Sequence, residues 1–89
     1  MNKERRKKID DVIQKINIFQ NTLEELQEMI EEIRDEEQES LDNIPENLQG
    51  SERYEAVENS LYNLEDAIEW FDNIDVDELT STLEESKGL

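Results

Sequence analysis

The chain has 89 residues, 34% of them apolar, with nine Lys and Arg against 26 Asp and Glu for a formal net charge of −17. So short and polar a chain makes one small domain with a thin core, which favours self-association, while the charge repels nucleic acid and anionic membranes, whose recognition needs clustered Lys and Arg. Cysteine and histidine are both missing, which excludes disulfides, thiolate nucleophiles and imidazole-based acid–base or zinc chemistry.

The basic start is followed by IDDVIQKI rather than by an apolar signal core, and no apolar run approaches the ~20 residues of a membrane span. A cytoplasmic location is expected. From Ile9 the apolar residues then alternate in steps of three and four. Ile9, Ile16, Leu23 and Ile30 occupy one seam position, and Val12, Phe19, Leu26 and Ile33 the other, with Ile13 and Met29 widening the stripe. That spacing predicts one long helix from about Glu4 to about Ser40, with all eight seam residues on its buried face.

The segment 41–50 interrupts the pattern. Pro45 disfavours helical geometry at Ile44, Asn43 offers a cap for a short turn, Gly50 offers its end, and Ser51 offers the cap of the next helix. A second helix over about 51–73 follows, with Tyr54, Val57, Leu61, Leu64, Ile68 and Phe71 on its seam. A connector this short makes the two helices antiparallel neighbours. Beyond Asn73 the register slips by one. Asp75 followed three residues later by Glu78 is a capping-box signature. Residues 76–86 are therefore either a short third helix, with Val76, Leu79 and Leu83 on one face, or a kinked continuation, and Gly88 is a stop. The expected fold is all-α: an antiparallel, coiled-coil-like helical hairpin that dimerises into a four-helix bundle.

Ile18, Tyr62 and Trp70 fall outside the seams. Tyr62 and Trp70 share a flank of the second helix and either pack against a partner hairpin or the folded-back tail, or serve as an exposed anchor for another protein. The first eight residues carry a formal charge of +4 and the rest −21. Cations at a helix N-terminus oppose its dipole, so Lys3, Arg5, Arg6, Lys7 and Lys8 are expected to clamp onto the acidic chain end near Asp77, Glu78, Glu84 and Glu85, or to fray as a solubilising tail. The acidic helix faces are either a solvated surface or, more sharply, an imitation of a polyanion that occupies another protein's basic site.

Chemistry finds little to build on. Paired carboxylates abound on solvated faces with no cleft to shift them; Ser40, Ser51, Ser60, Ser81 and Ser86 have no histidine to activate them; and Gly50 and Gly88 are too far apart for a phosphate loop. Asn73, Asp75, Asp77 and Glu84 match the first, third, fifth and twelfth positions of a calcium loop, but Glu78 replaces the turn glycine and Thr80 the usual aliphatic residue. No catalytic residue, cofactor or metal is expected, with a calcium-responsive switch through 73–84 as the outlying alternative.

The stretch DEEQESLDNIPENLQGSERYEAVENSLYNLEDAI, Asp35 to Ile68, carries a more specific signal. Its runs Asp35-Glu36-Glu37-Gln38-Glu39, Asp42-Asn43, Pro45-Glu46, Leu48-Gln49 and Ser51-Glu52-Arg53 resemble a recurrent motif in short, acidic helical proteins of phages and prophages of Gram-positive bacteria. The resemblance covers about a third of the chain and implies a helical hairpin of phage origin acting in the host bacterial cytoplasm. It transfers no catalytic or binding residue. A phage origin together with the acidic, non-catalytic character leads to the expectation of a non-enzymatic accessory or counter-defence factor that binds and blocks a host protein with a basic surface; the alternative is a structural oligomerisation module. The candidate partner-binding residues are Tyr62, Trp70, Asp42, Asn43, Gln49, Glu52 and Arg53. Within the connector, Arg34 or Arg53 is expected to bridge Asp35, Glu36, Glu39 or Asp42 across the turn, while Leu41, Ile44, Leu48 and Tyr54 plug the end of the hairpin.

Overall fold

A computed structural model describes residues 1–88. Among them there are three α-helices and no strand: α1 spans Lys3–Asp42, α2 Glu52–Trp70 and α3 Val76–Ser86, with single 3-10 turns at Glu46–Leu48 and Phe71–Asn73. No helix is long and apolar enough to cross a membrane among these residues. The helix limits follow from local chemistry. Asn2 caps α1, its Oδ1 accepting from Arg5 N–H at 2.8 Å. Ser51 caps α2 by accepting from Tyr54 N–H at 3.2 Å, and Asp75 caps α3 by accepting from Glu78 N–H at 2.8 Å. Each cap satisfies one of the free N–H groups of a first turn.

The C-terminal ends are equally specific. α1 runs two residues past the expected Ser40, because the Asn43 N–H still bonds Glu39 O at 3.0 Å before Ile44 N–H tightens onto Leu41 O at 3.1 Å. Pro45 then turns the chain to φ −58°, ψ 147° and ends the helix. Asn43 does not cap the following turn: Pro45 occupies that position, with no side-chain cap. Gly50 keeps negative φ and so is not a left-handed terminator, whereas Gly88, at φ 72°, is one.

The chain divides into two compact units, and α1 contributes to both. The first consists of residues 1–25 and the segment from Ile74; the second is Leu26–Asn73. In the second unit the latter part of α1 and α2 pack antiparallel as a helical hairpin. Leu61 and Ile44 are its most buried residues, flanked by half-buried Leu41, Tyr54, Val57, Leu64, Ile68 and Phe71. All six expected seam residues of α2 therefore face inward. Leu48 does not plug the end of the hairpin; it is exposed, because the 3-10 turn carries it outward.

In the first unit Ile13 and Val76 are the most buried residues, with Ile9, Ile16, Leu23 and Leu83 half-buried. Arg6 Nε donates to the Lys87 carbonyl at 3.2 Å, and Lys87 Nζ donates to Asp10 on α1 and to Glu84 on α3, the latter at 2.8 Å. The basic start does meet the chain end through Arg6, and Lys87 of the chain end in turn pairs with two carboxylates, one of them on α1.

One expectation for α1 is overturned. Only half of its eight-residue seam faces inward. Val12, Phe19, Leu26 and Ile33 are 47%, 54%, 44% and 50% exposed. The inward face instead follows Ile9, Ile13, Ile16, Gln20, Leu23, Gln27, Ile30, Arg34 and Leu41, all buried or half-buried. In heptad terms, with Ile9 at position a, the chain packs on a and e rather than on a and d. Ile13, next to Val12 in sequence, takes the core position because it lies four residues from Ile9, on the other side of the stripe.

Candidate interaction surfaces

Two groups of candidate residues lie in the second unit, and the structure treats them differently. Tyr62 and Trp70 project from α2 and are 58% and 60% exposed. Tyr62 borders a shallow depression of about 190 Å³ with Gln38, Leu41, Glu58, Leu61 and Glu65. Trp70 stands edge-on to Phe71, with ring centroids 5.3 Å apart and planes at 89°, an arrangement aromatic quadrupoles favour. It braces the indole over the point where α2 gives way to the 3-10 turn, and leaves its outer face in solvent. Ile18, the third apolar residue outside the seams, is likewise exposed, at 62%.

The connector candidates mostly serve the turn. Asp42 Oδ1 accepts from Gln38 Nε2 at 3.0 Å along the last turn of α1, and Gln49 N–H bonds Glu46 O at 3.3 Å. Glu52 opens α2, where its charge suits the positive end of the helix dipole. Asn43 and Arg53 come together beside Ser51, Ile44, Pro45 and Leu48 around an open depression of about 250 Å³. The expected ionic bridge across the turn is not made. Arg34 instead binds its neighbour Asp35 through Nε at 3.2 Å and Nη2 at 3.1 Å, and Arg53 has no ion pair among the described residues. Arg34 is drawn to Asp35 because it lies on the inward edge of α1, where its guanidinium follows its own helix back to solvent.

The segment 73–84 is helical from Val76 onward, and the Asp75 carboxylate is occupied by the Glu78 N–H. Among the described residues no group of three or more acids is placed to hold a metal ion.

A third surface was not foreseen. On α1 the positions d and g of the heptad are all exposed: Lys8, Val12, Lys15, Phe19, Thr22, Leu26, Met29, Ile33 and Glu36. Thr22 turns its hydroxyl onto Ile18 O at 3.2 Å, so its methyl is free to join the apolar row. The signal for this face was the adjacency of Val12 and Ile13. Two neighbouring apolar residues cannot both point into one narrow seam.

No protein-family model, curated protein or solved structure matches the chain. The surfaces above are therefore read from their own chemistry.

Proposed function

We propose that this protein is a non-enzymatic, acidic interaction module of phage origin that binds and blocks a host bacterial protein with a basic surface. The observation that carries the reading is Tyr62 and Trp70, two large aromatic side chains more than half exposed on α2, set among Glu58, Glu65, Asp66 and Glu69. Exposed Tyr and Trp anchor protein interfaces because they bury much area at little entropic cost. A ring of carboxylates around them steers a basic partner and rejects acidic ones. The phage origin rests on the motif between Asp35 and Ile68.

The test is capture from a lysate of a Gram-positive host, followed by affinity measurement with the purified captured protein. One basic protein is expected, bound at least about 10-fold more weakly after Trp70→Ala and weakened further between about 50 and 500 mM salt. Capture of nothing but further copies of the chain would sink the reading. That outcome would favour the second one, a structural oligomerisation module, for which the outward row of α1 is the specific support.

A further inference from the structure

We infer that the outward face of α1 is a coiled-coil seam for a second copy of this chain, with the two α1 helices antiparallel. Three observations converge. Val12, Phe19, Leu26 and Ile33 recur at heptad intervals and are all close to half exposed, and α1 is one continuous helix, Lys3–Asp42, across all of them. The intervening positions that complete such a seam are Lys8, Lys15, Thr22, Met29 and Glu36, also exposed. A row this regular, backed on the opposite side of the helix by Ile9, Ile13, Ile16, Leu23 and Ile30, is a second seam rather than a scatter of surface apolar residues.

Charge selects the occupant and its direction. In an antiparallel pair each layer joins one seam position to the other, so Val12 of one copy packs against the partner's Met29, Phe19 against the partner's Thr22 and Leu26 against the partner's Lys15. Lys8 then lies against the partner's Ile33 with the partner's Glu36 one turn away, and the cationic start, Lys3 to Lys8, runs along Ile33 to Gln38, which carries Asp35, Glu36 and Glu37. A parallel pair in register would set Lys8 against Lys8, Lys15 against Lys15 and Glu36 against Glu36, and bring the two acidic ends together. The antiparallel pair is isologous and closes as a dimer. Its formation opposes the net charge of −17 on each copy, so it strengthens as salt screens that long-range repulsion. The inference does not depend on any host partner, because it uses α1 whereas the aromatic anchors lie on α2.

The natural absence of cysteine makes the test clean. Val12→Cys and Met29→Cys, both at exposed positions, are made in the full chain, and unchanged helicity is checked by circular dichroism. After mild oxidation in about 0.15 M salt, the equimolar mixture should give a covalent dimer containing one of each, while either variant alone should stay monomeric on a reducing-agent-free gel. Disulfides form only where the Cα atoms approach within about 7 Å, so the mixed cross-link requires the two positions to share a layer of the pair. A cross-link of Val12→Cys with itself would overturn the direction. No mixed cross-link, or a sedimentation mass of about 10.6 kDa for the unsubstituted chain at ~100 µM, would overturn the seam. As an independent arm, Lys8→Glu should weaken the dimer by up to about 10-fold, and adding Glu36→Lys on the same chain should restore it. Failure of the second change to rescue the first would count against the contact between Lys8 and the partner's Glu36.

Discussion

α1 and α2 carry the same alternation of three- and four-residue steps, yet they use it differently. On α2 the stripe from Tyr54 to Phe71 is one face wide, and the protein buries it. On α1 the apolar residues outnumber one face, and the protein buries the half that includes Ile13 while leaving Val12, Phe19, Leu26 and Ile33 in solvent. Apolar periodicity thus reveals that a helix will be covered, but not by what. A stripe with a residue next to its seam, as Ile13 stands beside Val12, has two edges and can serve two neighbours. The inward face of α1 accordingly tolerates Gln20, Gln27 and Arg34, whose half-buried stems cover their neighbours while their polar tips reach water. The outward face likewise alternates Val12, Phe19, Leu26 and Ile33 with Lys8, Lys15, Thr22, Met29 and Glu36.

The contrast is tested most strongly by substitutions that ought to be equivalent if the stripe were uniform. Leu61→Ala, at the best-buried position of α2 (6% exposed), should lower the unfolding free energy by about 2–4 kcal/mol. Ile13→Ala should cost about 2–3 kcal/mol for the same reason. Val12→Ala, one residue away, should fall within about 0.5 kcal/mol of the unsubstituted chain and on the stabilising side, since alanine is the better helix former at a solvent position. Urea unfolding at low micromolar concentration, repeated after tenfold dilution to separate folding from self-association, measures all three. A cost for Val12→Ala equal to that for Ile13→Ala would erase the distinction between the two faces.

Much of the fold was legible because its punctuation is chemical. Ser51, Asp75, Pro45 and Gly88 each act through their own backbone or side-chain geometry, and the helices begin and end within two or three residues of where these residues put them. The choice between faces was not legible, because it depends on which neighbour reaches the helix. The ion pairs were hard to read for a related reason. Arg34, expected to bridge the turn, pairs with its neighbour Asp35, and Lys87, for which no partner was expected, pairs with Glu84 and with the distant Asp10. The candidate sites divide the same way. Tyr62 and Trp70 were identifiable as residues outside a seam, whereas the outward row of α1 was concealed within one.

Punctuation can be tested against packing with smaller effects. Ser51→Ala and Asp75→Ala should each cost about 1 kcal/mol by freeing a capped N–H at the start of α2 and α3. The equivalent Asn2→Ala should cost about 0.5 kcal/mol, at the low end because Asn2 and the first turn it caps are exposed. The two glycines should respond in opposite directions. Gly50 has negative φ and nothing within 4 Å of an added Cβ, so Gly50→Ala should stabilise the second unit by about 0.4–1 kcal/mol. Gly88 sits at φ 72°, where Gly88→Ala should cost about 1 kcal/mol. Thermal unfolding of the two variants side by side checks the sign; a loss at Gly50 would mean the connector needs that glycine after all.

The smallest effect belongs to the first unit alone and separates it from the hairpin. Lys87 donates hydrogen bonds to Asp10 and to Glu84, and these, chiefly the Asp10 bond, raise its pKa above the ordinary 10.5. A folded-state pKa above the unfolded value means that the contribution is fully present below about pH 10.5 and disappears as pH rises through the raised value. Lys87→Met removes it at every pH. The melting temperatures of the two chains should therefore differ at pH 8 and converge as the pH rises above 10.5. A difference that stayed constant across the range would assign the effect of Lys87 to its methylene packing against α1 and α3 instead of its charge. The same substitution should leave fluorescence from Trp70, the chain's single tryptophan and a member of the second unit, unchanged.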